Sequence, residues 1–140
     1  MKPLAQVASG GELSRVMLAI KTVLASKDSI DTLIFDEIGA GISGKTAWKV
    51  SGQLNVVAGE HQVICITHLP QIAVMADKHF LIEKSAENGT TLTQIRDLNE
   101  EEELKELARL LGGDNIIEAA LANAREMRKQ AMLMKKTEKI

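Results

Sequence analysis

Thr32-Leu33-Ile34-Phe35-Asp36-Glu37 is a short apolar run closed by two adjacent carboxylates, and it starts seventeen residues after Ser9-Gly10-Gly11-Glu12-Leu13-Ser14-Arg15. A short continuous apolar run predicts a strand buried on both faces. Its two acids then fall at the carboxyl edge of the sheet, where open α/β folds place their ligands. Upstream, the Ser-Gly-Gly turn opens a helix. Leu13, Val16, Met17, Ile20, Val23 and Leu24 recur there at three- and four-residue steps, an amphipathic pattern.

Downstream, a Gly-rich loop from Gly39 to Gly44 leads into a second helix, with Ala47, Val50, Leu54 and Val57 predicted to face inward. Gln62-Val63-Ile64-Cys65-Ile66-Thr67 reads as a second buried strand. Leu69 to Ala76 reads as a short helix with Pro70 in its first turn. Alternation of helix and strand implies right-handed crossovers and a parallel sheet. The pattern then changes: His79 to Ser85 and Thr90 to Leu98 flank Asn88-Gly89, the mark of an antiparallel hairpin. Two helices follow. Asn99 is placed to cap the first, with Glu100 to Glu103 as a solvated acidic first turn, and Gly112-Gly113 ends it. Asp114 is placed to cap the last, whose stripe is Ile116, Ala120, Ala124, Met127, Ala131 and Met134; this stripe suits either the body of the protein or a partner helix. Lys135 to Lys139 reads as a frayed tail.

At 140 residues the sequence has the length of one domain, 1–140. Hydrophobic residues reach 45% but only Phe35, Phe80 and Trp48 are aromatic, so the core is aliphatic. A net charge of -2 supplies no global basic field to recruit nucleic acid or membrane. No run approaches the roughly twenty apolar residues of a membrane span, and residues 1–8 lack the apolar stretch of a signal peptide. The lone Cys65 excludes an intramolecular disulfide, fits a reducing cytosol and, within an apolar strand, reads as inert packing. The expectation is a soluble cytoplasmic protein.

Three features carry chemistry. A helix that begins Ser9-Gly10-Gly11 presents unpaired N–H groups and its positive dipole end, and glycine lets a phosphate come close. Asp36 and Glu37 suit two roles in phosphoanhydride hydrolysis, one serving a hydrated Mg²⁺ and the other an attacking water. His68, directly after the second strand, emerges at the same edge and can hydrogen-bond a phosphate or a water. His61 and His79 lack such a setting and are expected at the surface.

Gly39-Ala40-Gly41-Ile42-Ser43-Gly44-Lys45-Thr46 also matches the phosphate-loop pattern G-x-x-x-x-G-K-[ST] between a strand and a helix. Read literally, it makes the chain a self-contained P-loop NTPase using Lys45 and Thr46. Against that, Asp36-Glu37-Ile38 separate it from the strand, and the next strand ends in Thr67-His68 rather than in an acid for Mg²⁺.

Taken in order, Ala8 to Arg15, Leu33 to Glu37, Gly41 to Gly44 and Ile66 to Ala73 resemble four successive motifs of an ABC-type ATPase head: signature, Walker B strand, D-loop and switch-histidine loop. The wording resembles the C-terminal part of the RecN family of bacterial DNA repair and recombination proteins, relatives of the SMC proteins, over nearly the whole chain. That resemblance implies an α/β fold, the C-terminal lobe of a P-loop NTPase head: parallel strands with flanking helices, an antiparallel hairpin and two closing helices. It implies that Ser9, Gly10, Gly11 and Glu12 face the γ-phosphate of an ATP held by an opposite head. Asp36 would hold Mg²⁺ through water, Glu37 would polarise the attacking water and His68 would sense the γ-phosphate. Gly41, Ile42, Ser43 and Gly44 would touch the partner head. Implied partners are the N-terminal half of the same head, a second head in a homodimer, and DNA.

The sequence departs from this family in two ways. Gly39 stands where such sequences usually carry Asp, which creates the apparent P-loop and puts local D-loop contacts in question. The true phosphate loop, the adenine-contacting strands and the coiled coil precede these motifs in the family and are absent from this sequence. The chain therefore reads as a single partial domain that by itself neither binds ATP tightly nor hydrolyses it, and whose uncovered sheet edge and helix faces favour self-association. Two other readings compete: the head of another SMC- or SbcC-like coiled-coil ATPase, and a non-catalytic module centred on the hairpin and last helix.

Overall fold

The computed structural model describes residues 9–24, 29–87 and 90–137. The elements run α1 (Gly10–Leu24), β1 (Thr32–Phe35), α2 (Gly44–Val57), β2 (Gln62–Cys65), α3 (Pro70–Ala73), β3 (Phe80–Glu87), β4 (Thr90–Asp97), α4 (Glu100–Gly112) and α5 (Glu118–Thr137). β1 and β2 pair in parallel, Thr32 with Gln62 through Phe35 with Cys65. β3 and β4 pair antiparallel from Phe80 with Asp97 to Glu87 with Thr90. The predicted turn at Asn88-Gly89 lies outside the described residues, and so does the segment 1–8.

One face of the parallel pair makes the first core. Leu33 and Phe35 point into it and meet Val50, Leu54 and Val57 of α2, Leu18 of α1, Ile38 and Ile72. All four α2 positions predicted to face inward are buried. The other face of the sheet is open: Ile34 is 68% exposed, and Ile64 and Ile66 are also exposed. The expectation of strands buried on both faces is therefore corrected to strands buried on one. An apolar run shows what a strand can bury, not whether both layers that would bury it are present.

The second core joins α4 and α5. Ala73, Leu107, Ala108, Ala120 and Ala124 cluster there, flanked by Leu104, Leu110, Leu111 and Leu121. Alanines at the contact let the helix backbones approach closely, and Met127 and Ala131 extend the buried stripe. The α5 stripe thus packs on the body, although Ile116 precedes the helix and is exposed.

Local signals set the ends of α4. The Asn99 side chain accepts from the Glu101 and Glu102 amides at 3.1 and 3.0 Å, and Glu102 Oε2 accepts from the Asn99 amide at 3.0 Å. Such a capping box is worth about 1 kcal/mol. Gly113, at φ 80°, closes the other end. Glu102 also pairs with Arg96 of the hairpin, so the acidic turn is a tie as well as a solvated helix start.

Three further expectations change. Asp114 does not cap α5, which begins at Glu118; it lies 3.6 Å from Arg109 instead. The helix continues through Lys135 to Thr137, and Lys135 Nζ donates to Asp77 Oδ1 at 2.6 Å, so this much of the tail is not frayed; residues 138–140 lie outside the description. His61 is buried rather than exposed. Its Nδ1 lies 2.6 Å from the Ile30 carbonyl oxygen, and its buried Nε2 has no hydrogen-bond partner among the described residues. His79 is half-buried.

Candidate functional site

Both parallel strands end at one edge. Past the Phe35–Cys65 pair, the Ile66 amide still donates to the Phe35 carbonyl at 2.9 Å. Asp36 and Glu37 leave β1 there, exposed, while His68, also exposed, lies three residues past the end of β2. Among the described residues, no hydrogen bond joins the His68 ring to either carboxylate, so the histidine shares the edge without being tied to them. Cys65, just inside, has its thiol pushed up to about 11 by burial and then by the Asp36 carboxylate. It stays a neutral thiol at physiological pH, in keeping with inert packing.

The N-terminus of α1 comes to this same edge. Ser9 and Glu12 form their own capping box: the Ser9 amide donates to Glu12 Oε2 at 2.9 Å and the Glu12 amide to Ser9 Oγ at 3.3 Å. Glu12 is therefore engaged in the cap, while the Ser9 hydroxyl keeps its proton for an outside acceptor. The Gly10 and Gly11 amides lie in the first turn, where no intrahelical acceptor exists.

Space requires glycine at Gly11, whereas at Gly10 the near atom is the movable end of the Glu37 side chain. A Cβ on Gly10 would stand 2.5 Å from Glu37 Oε2, and one on Gly11 would stand 2.7 Å from the Glu37 carbonyl oxygen and 2.9 Å from Ala40 Cβ. The Ser-Gly-Gly turn and the Glu37 carboxylate thus touch within one chain. Glu37 itself has φ 54°, the left-handed region that non-glycine residues seldom occupy and that recurs at functional sites. Its amide donates to Asp36 Oδ1 at 2.8 Å.

The loop beyond is a compact turn rather than an open cradle. Ala40 N donates to Glu37 O at 2.8 Å and Ile42 N to Gly39 O at 3.4 Å, and Ile38 is wholly buried beneath them. Gly41 takes φ 72°, Ile42 packs partly on the core, Ser43 stands at the N-cap of α2 without a side-chain cap bond, and Gly44 starts the helix beside Gln71. Gly39 is tightly enclosed, since a Cβ there would meet Leu69 Cδ1 at 2.6 Å. Lys45 and Thr46 are exposed on α2.

Two residues that sequence reasoning gave no role tie these parts together. Ser14 Oγ donates to the Asp36 carbonyl at 2.7 Å, and Arg15 Nη1 donates to the Ile38 and Ala40 carbonyls at 3.1 and 2.8 Å. A cavity of about 270 Å³ lies elsewhere, against α4 and α5; its Arg128 and Lys135 are paired with Glu103 and Asp77. Among the described residues, no group of three or more His, Cys, Asp or Glu is arranged to hold a metal ion, and no helix is long and apolar enough to cross a membrane.

No protein-family model matches the chain. Among characterised proteins, the DNA repair protein RecN of Bacillus subtilis (strain 168) is 42% identical over 98% of this chain. RecN of Haemophilus influenzae is 49% identical over 90% of it, and RecN of Deinococcus radiodurans 50% over 89%. The chain belongs to the RecN family, as its C-terminal part. It spans less than a quarter of each RecN relative, 24%, 23% and 22% of their lengths in the same order. A solved SMC ATPase, from work on ATP-driven dimerization and DNA-stimulated activation, superimposes with a TM-score of 0.54. The match covers 76% of this chain and 63% of that one at 24% identity, which shows the fold alone. The α/β head-lobe fold expected from the RecN-like motifs is thus the one found.

Proposed function

We propose that this chain, 1–140, is the C-terminal lobe of a RecN ATPase head that serves DNA repair and recombination in the bacterial cytoplasm, and that its carboxyl edge is the hydrolytic surface. The observation that carries this reading is the contact of Gly10 and Gly11 with Glu37. Two residues without side chains bring an anion-accepting helix start against a carboxylate held in a left-handed backbone. In this reading the Gly10 and Gly11 amides and the Ser9 hydroxyl bind the γ-phosphate of an ATP carried by a second head. Glu12 holds that turn in shape through the cap. Glu37 accepts a hydrogen bond from the attacking water and polarises it, and His68 lends a further hydrogen bond at the phosphate. Gly41 to Gly44 are assigned the contact with the partner head.

Asp36 is the residue to hold Mg²⁺. One exposed carboxylate fits an ion that keeps most of its waters and takes its other oxygens from substrate phosphates; when bound, such an ion neutralises charge on the transferring phosphoryl group. The phosphate loop and adenine contacts are assigned to the N-terminal half of the head, and DNA and a second head to the intact protein. The segment Gly39 to Thr46 is not given that role, because the Ala40 and Ile42 amides are spent on the turn itself.

The test is hydrolysis by a full-length RecN protein carrying this sequence. Glu37→Gln should slow turnover by at least about 100-fold, in the range of removing a general base, while ATP still drives head association. Lys45→Ala should leave turnover within about twofold of the parent. Loss of turnover on Lys45→Ala alone would return the P-loop reading to first place.

A further inference from the structure

We infer that Arg15 is a positioning residue for hydrolysis: it touches no substrate but fixes the backbone that aims Glu37. This rests on the role given to Glu37 above. A left-handed non-glycine residue persists only where its neighbours hold it, and here the holding groups can be named. On the N-terminal side, Ser14 Oγ donates to the Asp36 carbonyl at 2.7 Å and the Glu37 amide donates to Asp36 Oδ1 at 2.8 Å. On the C-terminal side, a single Arg15 nitrogen bridges the Ile38 and Ala40 carbonyls, and the Glu37 carbonyl accepts from Ala40. The buried Ile38 side chain pins the middle.

Among the described residues, Arg15 alone joins α1 to the far side of this turn by charge-assisted bonds, which are stronger than neutral ones. Its Nη1 also lies 3.1 Å from where a Gly11 Cβ would be, so the guanidinium passes directly beneath the phosphate-facing turn. The phosphate-binding helix start and the hydrolytic carboxylate are thereby one rigid piece. A displacement of the α1 N-terminus would reach the Glu37 turn through Arg15 on its far side and through Ser14 on its near side.

The experiment is a double-mutant cycle in the full-length protein. Arg15→Ala should lower kcat by about 10- to 100-fold, the scale on which a misplacement of ~1 Å is felt, with KM for ATP within about twofold and ATP-driven head association intact. Arg15→Lys, which keeps the charge on a shorter stem, should recover part of the loss. In the Glu37→Gln background, Arg15→Ala should cause no further slowing, because nothing is left to aim. Wild-type kcat in Arg15→Ala, or full additivity with Glu37→Gln, overturns the inference. If Arg15→Ala fails to fold, the same readings on Arg15→Lys decide. If instead Glu37→Gln leaves turnover intact, the fault lies in the reading of the site and not in the clamp.

Discussion

Helices α1 and α5 carry the same kind of apolar repeat and treat it in opposite ways. In α5, Ala120, Ala124, Met127 and Ala131 are buried against the rest of the protein. In α1, Leu13, Val16, Met17, Ile20 and Leu24 are all exposed and Val23 is 81% exposed, while Gly11 and Leu18 alone are buried. Periodicity says that a helix has a face to cover and is silent on what covers it. The uncovered side of α1 and the open face of the sheet belong together: both await apolar surface that the described residues do not supply. At the hairpin, Phe80, Ile82 and Ile95 lie on one face by the pairing register and are likewise exposed.

The largest effect that tests this contrast lies within α1. Leu18→Ala should lower the unfolding free energy by about 2–5 kcal/mol, the cost of emptying a buried leucine site. Ile20→Ala, two residues away, should stay within about 0.5 kcal/mol. Equal losses in urea melts would erase the distinction between the two sides of the helix. Next, Ala124→Leu should cost about 1–3 kcal/mol, since Ala124 is fully buried in the α4–α5 contact and three extra carbons must push those helices apart. A neutral result would mean that α5 is only loosely docked. A small stability change, within about 1 kcal/mol in total, is expected from the triple replacement Val16→Gln, Met17→Gln and Ile20→Gln. Its readout is mass by light scattering: the parent chain at high concentration should self-associate through its bare faces, and the triple variant should shift toward monomer. A parent that stays monomeric would show that these faces are tolerated in water.

The contrast also marks what could be read from sequence alone. The Asn99 cap, the Gly113 stop, the inward face of α2 and the hairpin were legible because each is written in neighbouring residues. The depth of burial of β1 was not, for it depends on a second layer. Nor was the burial of His61, whose partner is the carbonyl of Ile30, thirty-one residues distant. Asp114 misled because a capping residue type can stand several residues before a helix actually begins. At the candidate site, the placing of Asp36, Glu37 and His68 at one sheet edge followed from two parallel strands ending side by side. The Ser14 and Arg15 ties did not, because their acceptors are main-chain carbonyls; every residue has one, so sequence holds no mark of which are used.

His61 has a mechanical consequence for the sheet. Its ring holds the carbonyl of the residue two before β1, and the Gln62 amide beside it donates to the Asp31 carbonyl at 2.8 Å. The leading ends of both strands are thus pinned side by side, far from the carboxylates. The far end is closed in the same way by the Ile66 amide on the Phe35 carbonyl, so this short ladder is hydrogen-bonded from the imidazole to the foot of the carboxylates.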